Sequence, residues 1–236
     1  KKAVVVSLDM SGLSVIDLEA GNAALLTILP DYLINSATFS PDSASLALSS
    51  ADTWEVTQYA VPDGKVLRTL TGFETAAPVY YAGFTEAPQW MVWWARATLQ
   101  IQDIESGAMG PKLSHEDFVT AYSSSRDGSM LASISSKIIG DEAVPTVSMW
   151  DAVQGAELTT LVLNEPALCL DFSPNGSLLA VGVGSNLQIW DVTTGSMIAS
   201  LEGHAGAITK LAFSKDGRYI ATAGQDNQLY LWQVID

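Results

Sequence analysis

Apolar residues along this chain come in short runs rich in Val, Ile, Leu, Ala and Thr, and turn residues interrupt them every 8 to 12 positions. That spacing predicts an all-β chain, because no stretch keeps the 3.6-residue periodicity of an amphipathic helix. The clearest stretch runs from Leu201 to Asp236. It holds a Gly203-His204 dipeptide, an apolar run ending at Phe213, the turn Ser214-Lys215-Asp216-Gly217, a run from Tyr219 to Ala223, a tight turn over 225–228 and a run from Leu229 to Val234. Asp-Gly and Asn-Gly tolerate the positive φ that short hairpins need, so each such pair predicts a strand, turn and strand.

The pattern recurs. Gly21, Gly64, Gly107, Gly155 and Gly195 each close a similar short segment, at intervals of 43, 43, 48 and 40 residues. The segments, six or seven residues long, read IDLEAG, YAVPDG, IQDIESG, MWDAVQG and IWDVTTG, and LWQVID ends the chain. Hairpin turns fall at matching places, in Ser40-Pro41-Asp42-Ser43, Arg126-Asp127-Gly128, Ser173-Pro174-Asn175-Gly176 and Lys215-Asp216-Gly217, with Thr85-Glu86-Ala87-Pro88 as a degenerate version. Setting His115 against His204 gives a gap-free match as far as Ser133 against Thr222. A period of about 40 to 45 residues with Trp-Asp closing an apolar run predicts repeated four-stranded units.

These motifs resemble the WD-repeat family over essentially the whole chain. The resemblance implies an all-β fold, a β-propeller of four-stranded antiparallel blades. Six blades are visible, over about 1–30, 31–71, 72–114, 115–162, 163–202 and 203–236, in a single domain spanning 1–236. In that family a Gly-His before the innermost strand, a Ser or Thr of the second strand, an Asp of the next turn and the Trp of the third strand form a hydrogen-bonded tetrad. Carried over by motif, the last repeat supplies all four, His204, Thr222, Asp226 and Trp232. A partial set is His115, Ser133 and Trp150, and Trp190 stands in a repeat with Leu163 at the His position. Ile16, Tyr59 and Gln102 replace the Trp in earlier repeats. Such a network is costly when half-made, so degenerate blades are expected to exchange several members together.

Strand accounting leaves both terminal blades incomplete. Ala3 to Leu8 and Leu13 to Leu18 read as second and third strands with no first, and Gln228 to Val234 as a third strand with no fourth. Family members usually close with an N-terminal strand, so the missing segment is expected upstream of Lys1. About 20 further residues would complete six blades and about 60 would make seven. An upstream segment or a strand from a partner chain is expected to cover the open edges, since unpaired edges invite aggregation.

Composition narrows the partners. Hydrophobic residues make up 48% of the 236 and charged residues only 16%, enough apolar material for a sizeable core. Lys and Arg total 11 against 26 Asp and Glu, a formal charge of −15, so a phosphate backbone is repelled and nucleic acid is excluded as a partner. A cationic peptide, a basic protein or divalent cations are attracted, although acidity also serves solubility. Cys169 is the only cysteine, which rules out an intrachain disulfide, and its run ALCLDF predicts a small buried residue. The apolar stretch Trp90 to Ala95 is far shorter than the ~20 residues of a transmembrane helix. Lys1 and Lys2 are followed by too short an apolar run for a signal peptide. Few Lys and Arg with many Ala, Ser and Thr lean toward a secreted or cell-surface bacterial protein over a cytoplasmic one.

Candidate chemistry is sparse. Both histidines fall at the Gly-His position or its equivalent, and the Ser, His and Asp set of the last repeat reads as packing, so no catalytic residues are assigned. There is no Cys and His cluster for zinc, no Gly-rich phosphate loop and no calcium-loop spacing, so no metal or cofactor is expected. Binding is expected on the face carrying the loops that enter the innermost strand and link the second to the third. The stretch QWMVWWAR puts Trp90, Trp93 and Trp94 in one strand and Arg96 in the turn beyond, and Trp54 lies near the matching turn of the preceding repeat. Trp and Arg are enriched at interface hot spots. The 48-residue interval arises mainly from SKIIGDEAVPT, residues 136–146, read as a lengthened loop with Ile138, Ile139, Asp141 and Glu142 as contacts. The favoured reading is a non-enzymatic scaffold for protein or peptide binding. One alternative is a structural subunit of a larger or cell-surface assembly using its open blade edges. Another is a channel-mouth ligand sensor or enzyme, against which the inner strands are mainly apolar, with Asp171 and Lys210 as exceptions.

Overall fold

Every regular element among the described residues is a β-strand, and the strands begin and end where Gly, Pro, Asp and Asn interrupt the β-branched and aliphatic runs. The structure, a computed structural model, describes residues 2–6, 12–17, 24–40, 42–50, 52, 55–61, 63–70, 81–84, 90–95, 97–103 and 106–235. Among these no helix is long and apolar enough to cross a membrane. Two compact units divide the chain, Lys1–Gly110 and Pro111–Asp236.

The first unit carries three sheets. They are β1 (Lys2–Val6), β2 (Leu13–Asp17) and β3 (Ala24–Ile28), then β4 (Ile34–Phe39), β5 (Ser45–Ser50), β6 (Val56–Ala60) and β7 (Val66–Leu70), then β8 (Tyr81–Phe84), β9 (Trp90–Ala95), β10 (Thr98–Asp103) and β11 (Met109–Ser114), which carries the chain past residue 110. The second unit holds β12 (Ala121–Ser124), β13 (Met130–Ile139), β14 (Glu142–Asp151) and β15 (Ala156–Val162), then β16 (Ala167–Phe172), β17 (Leu178–Val183), β18 (Asn186–Asp191) and β19 (Met197–Leu201), then β20 (Ile208–Phe213), β21 (Tyr219–Gly224) and β22 (Leu229–Gln233). In each sheet sequence neighbours are spatial neighbours, the meander of a propeller blade.

Irregularities in the ladders show which strand is missing from the two three-stranded sheets. A register shift sits between third and fourth strands at Gln58/Tyr59, Met149/Trp150 and Ile189/Trp190, and the same shift falls between β2 and β3 at Val15/Ile16. The sheet of β1 to β3 therefore lacks a first strand. A second kind of shift marks first and second strands at Ile34/Ser36 and Ala167/Cys169, and it recurs between β20 and β21 at Ile208/Lys210. Among the described residues the last sheet lacks a fourth strand, and there both three-stranded sheets agree with the strand accounting.

The repeated glycine has a backbone cause. Gly64, Gly107, Gly155 and Gly195 all take φ between 64° and 74°, a region costly for any side chain, at the turn from third to fourth strand. The Asp that closes the third strand organises the same turn. Asp151 accepts from the Val153 and Gln154 N–H at 2.9 and 2.8 Å, and Asp191 from the Thr194 N–H at 2.7 Å. The turns from first to second strand repeat a different device. Ser125 donates to Asp127 at 2.7 Å and accepts from the Met130 N–H at 2.9 Å, and Ser40 with Asp42, Ser173 with Asn175 and Ser214 with Asp216 do the same.

Cores form between successive sheets of a unit. In the first unit Leu13, Val15, Ile34, Leu46, Leu48 and Tyr59 join β2 to β4, β5 and β6. In the second, Ala132, Ile134, Val147 and Met149 of β13 and β14 meet Leu170, Phe172, Leu179 and Val181 of β16 and β17, and Cys169, Leu187, Ile189, Ile208 and Ile220 continue the packing to β20 and β21. Leu131, Leu179 and Leu187 are wholly buried, and truncating any of them to Ala is worth about 2 to 5 kcal/mol.

Residues 136–146 correct one expectation. They form no loop: β13 and β14 stay paired without interruption from Met130↔Asp151 to Ile139↔Glu142, turning on Gly140 and Asp141 alone. Gly140 takes φ 68° at the first turn position, where a two-residue hairpin favours glycine. Ile138, Ile139, Val144 and Thr146 are β-branched, so each favours the extended conformation that the pairing then locks. The insertion is a stiff hairpin.

Candidate interaction site

In the last sheet the tetrad residues form one hydrogen-bonded chain. His204, on the segment entering β20, is buried; its Nδ1 lies 3.0 Å from Asp226 and its Nε2 2.9 Å from the Thr222 hydroxyl on β21. The carboxylate can only accept, so Nδ1 donates to it. Trp232 Nε1, on β22, donates to the same Thr222 oxygen at 2.9 Å. Asp226 also accepts from the Ala205 and Gln228 N–H at 2.8 and 3.0 Å. Burial works against ionisation of this carboxyl, but the Ala205, Gln228 and His204 hydrogen bonds outweigh it and hold the group below the usual carboxylate range.

A hydroxyl, an imidazole and a carboxylate in this order have the connectivity of a nucleophilic triad. The chemistry fails on access. Thr222 is 1% exposed in the middle of a paired strand, and its oxygen is already held by two partners, so no substrate carbon can approach it. Cys169 is no better placed. Burial pushes its thiol up to about 11, and its sulfur points at the Ile208 carbonyl, 3.6 Å away.

The two preceding sheets show the network coming apart. His115 Nε2 lies 2.7 Å from the Ser133 hydroxyl, and Trp150 Nε1 donates to it at 2.9 Å, but the position of Asp226 is occupied by Lys137. Lys137 turns away from the histidine, donating to Glu157 at 2.8 Å and to Thr160 at 2.9 Å. Burial opposes the ionisation of Glu157, yet bonds from Lys137, Thr160 and Ser148 outweigh it and hold this carboxyl low as well. In the next sheet Leu163 and Val181 stand at the histidine and hydroxyl positions, and Trp190 keeps a buried Nε1 that meets no acceptor. In the first unit Tyr59 sits at the Trp position, its hydroxyl 3.4 Å from that of Tyr32, and Gln102 donates to the Gly107 carbonyl at 2.9 Å.

Among the interaction candidates, the hairpin residues are presented to solvent. Ile138 and Ile139 are 57% and 53% exposed, and Asp141 and Glu142 are exposed at and beside the turn. Trp94 lies on β9 opposite Leu99, just before the turn into β10. Trp54 and Arg96 lie outside the described residues. Two neighbours of the hairpin were not singled out from sequence. Glu116 accepts from the Ile138 N–H at 2.9 Å, and Phe118, 56% exposed, follows on the same connection. Their signal was only their adjacency to His115, three residues or fewer away.

Comparison with known proteins agrees with this geometry. Residues 157–191 and 195–233 match the family described as WD domain, G-beta repeat, the two stretches that carry Trp190 and Trp232 next to their ends. The chain carries WD repeats. Autophagy-related protein 16 of Arabidopsis thaliana is 29% identical over 131 residues, 55% of this chain and 25% of its own length. WD repeat-containing protein 18 of Rattus norvegicus is 23% identical over 164 residues, 67% of this chain and 35% of its own length. Target of rapamycin complex subunit LST8 of Saccharomyces cerevisiae is 28% identical over 92 residues, 38% and 30% of the two chains. The chain thus spans about a third or less of the length of these relatives. WD-repeat proteins are typically scaffolds for protein interactions and generally not enzymes, in keeping with a polar network that is buried and structural.

Proposed function

We propose that this WD-repeat chain is a non-enzymatic scaffold that binds a protein or peptide through the β13–β14 hairpin. One observation carries the reading: two adjacent isoleucines, each more than half exposed, on a hairpin whose strands are paired to the tip. Holding large aliphatic side chains in water gains nothing for the fold, and a rigid presentation lowers the ordering entropy lost on binding. Trp94 precedes the equivalent turn between second and third strands in the first unit, and the sequence puts Arg96 just after β9. They are proposed as a further contact by repeat position, and Trp54 is assigned likewise. Protein recovered with the full chain from its source cells should be depleted in the Ile138→Asp/Ile139→Asp pair relative to the unaltered chain, as measured by quantitative mass spectrometry. An identical set of partners at identical recovery, from a variant that unfolds at the same denaturant concentration, removes the assignment.

A further inference from the structure

The two faces of the hairpin are different surfaces. Cross-strand partners share a face, so Ala132 with Met149, Ile134 with Val147, Ser136 with Pro145 and Ile138 with Ala143 form one stripe. Its inner half is core, packed on β16 and β17. Its outer half, Ser136 and Pro145 half-buried and Ala143 and Ile138 exposed, carries the stripe beyond the core into solvent with Ser136 as its polar member. The opposite face carries Lys137 with Val144 and Ile139 with Glu142, and there the cation is taken up by Glu157.

Carboxylates rim the apolar stripe. Glu116 lies along the β13 edge, where it accepts from the Ile138 N–H; Asp141 is at the tip. Glu165 follows closely on Leu163, whose N–H donates to the Pro145 carbonyl at 2.9 Å, and its carboxylate lies directly over Gly184. Lys137, the cation within the hairpin, points to the other face and is paired.

The edges of the hairpin offer little to strand addition near the tip. Backbone groups of Ile138 and Pro145 face outward, as their bonds to Glu116 and Leu163 show. Glu116 already occupies the Ile138 N–H, and Pro145 has none to give. That leaves one outward N–H on the β14 edge, at Ala143, too few for a ladder.

We infer that the Ile138, Ala143 and Pro145 face docks a basic protein segment bearing an aliphatic anchor, read by side chains and not by added β-pairing. The anchor covers Ile138 while lysines or arginines meet Glu116, Asp141 and Glu165, the complement of an apolar stripe inside an acidic rim. This inference rests on the hairpin being the interaction site and adds which face is used and what chemistry it takes.

The test uses the full chain with three synthetic peptides of about 12 residues: one Lys-rich with a single central Leu, the same peptide with Ser for Leu, and a Glu-rich version with the Leu. Titration calorimetry at two salt concentrations should show binding of the first, weaker at higher salt, with the Ser version at least tenfold weaker and no heat from the Glu version. Ile138→Asp and Glu165→Lys should each raise Kd for the Lys and Leu peptide about tenfold, while Ile139→Asp on the opposite face leaves it within about twofold. Equal affinity for the Leu and Ser peptides, or equal loss in Ile138→Asp and Ile139→Asp, overturns the inference. If cellular partners depend on the hairpin and the Lys and Leu peptide does not bind, the interaction reading stands and this one falls.

Discussion

The sheet of β16 to β19 and the sheet of β20 to β22 carry the same repeat with opposite solutions to one problem. Both put a tryptophan indole at the end of the third strand, Trp190 and Trp232, each packed against a neighbouring core. In the last sheet the indole N–H meets Thr222, which meets His204, which meets Asp226. In the preceding sheet the hydroxyl and the imidazole have both given way to aliphatics, Val181 and Leu163, while the indole remains with its N–H buried and unsatisfied. The partners left together and the tryptophan did not follow. The histidine and hydroxyl therefore behave as one unit, because either alone leaves the other's polar atoms buried without a bond, whereas the tryptophan is held by the area it buries and tolerates an orphaned donor.

The sharpest way to break that comparison is to give the last sheet the residue its neighbour already uses. Thr222→Val keeps the shape but strands His204 Nε2 and Trp232 Nε1 at once, and should cost about 3 kcal/mol in urea unfolding. Adding His204→Leu removes one of the stranded atoms, so the pair should cost clearly less than the sum of the two single changes. A Thr222→Val chain as stable as the original, or strictly additive costs, means that the network contributes nothing as a unit.

A smaller effect separates the charged end of the network from its buried end. Asp226 has a lowered pKa when folded, so it contributes stability above its unfolded value of about 3.9, and that contribution is lost as pH falls through the folded value. Asp226→Asn should lower stability at pH 7 by less than Thr222→Val does. The difference between variant and original should shrink toward zero below about pH 4, measured by denaturant unfolding across the acid range. A gap that persists undiminished at low pH assigns the role of Asp226 to its shape and not to its charge.

These residues also show where sequence reasoning reaches its limit. The repeated glycines are legible because only positive φ explains a glycine at that one place, and the alignment of His115 with His204 needs no gap because strand and turn lengths are fixed by pairing. The missing strands at both ends follow from the same counting. The hairpin of residues 136–146 is not legible in this way. Gly140-Asp141 is a sound turn signal, but whether the flanking residues extend the strands or form a loop is decided by cross-strand partners up to 21 residues apart, from Ile139 against Glu142 to Met130 against Asp151. Lys137 escapes for a similar reason. It occupies the place of an aspartate with the opposite charge, and its use becomes apparent only through Glu157, twenty residues further on.

The last way to sharpen the comparison runs in the other direction and repairs the half-made network. Val181→Thr changes a methyl to a hydroxyl at the position opposite Gln188, as Ser133 stands opposite Ser148. In the earlier sheet that geometry lets the hydroxyl accept from Trp150 at 2.9 Å and lie 3.4 Å from the Ser148 carbonyl. The new Thr should therefore accept from Trp190 and donate to the Gln188 carbonyl without a histidine, and raise stability by about 1 kcal/mol, read as a shift in the urea midpoint at unchanged m-value. Burying a hydroxyl that finds neither partner costs about as much as the bond would give. Destabilisation would therefore show that the Trp190 indole is turned for packing, out of reach of the network its repeat has lost.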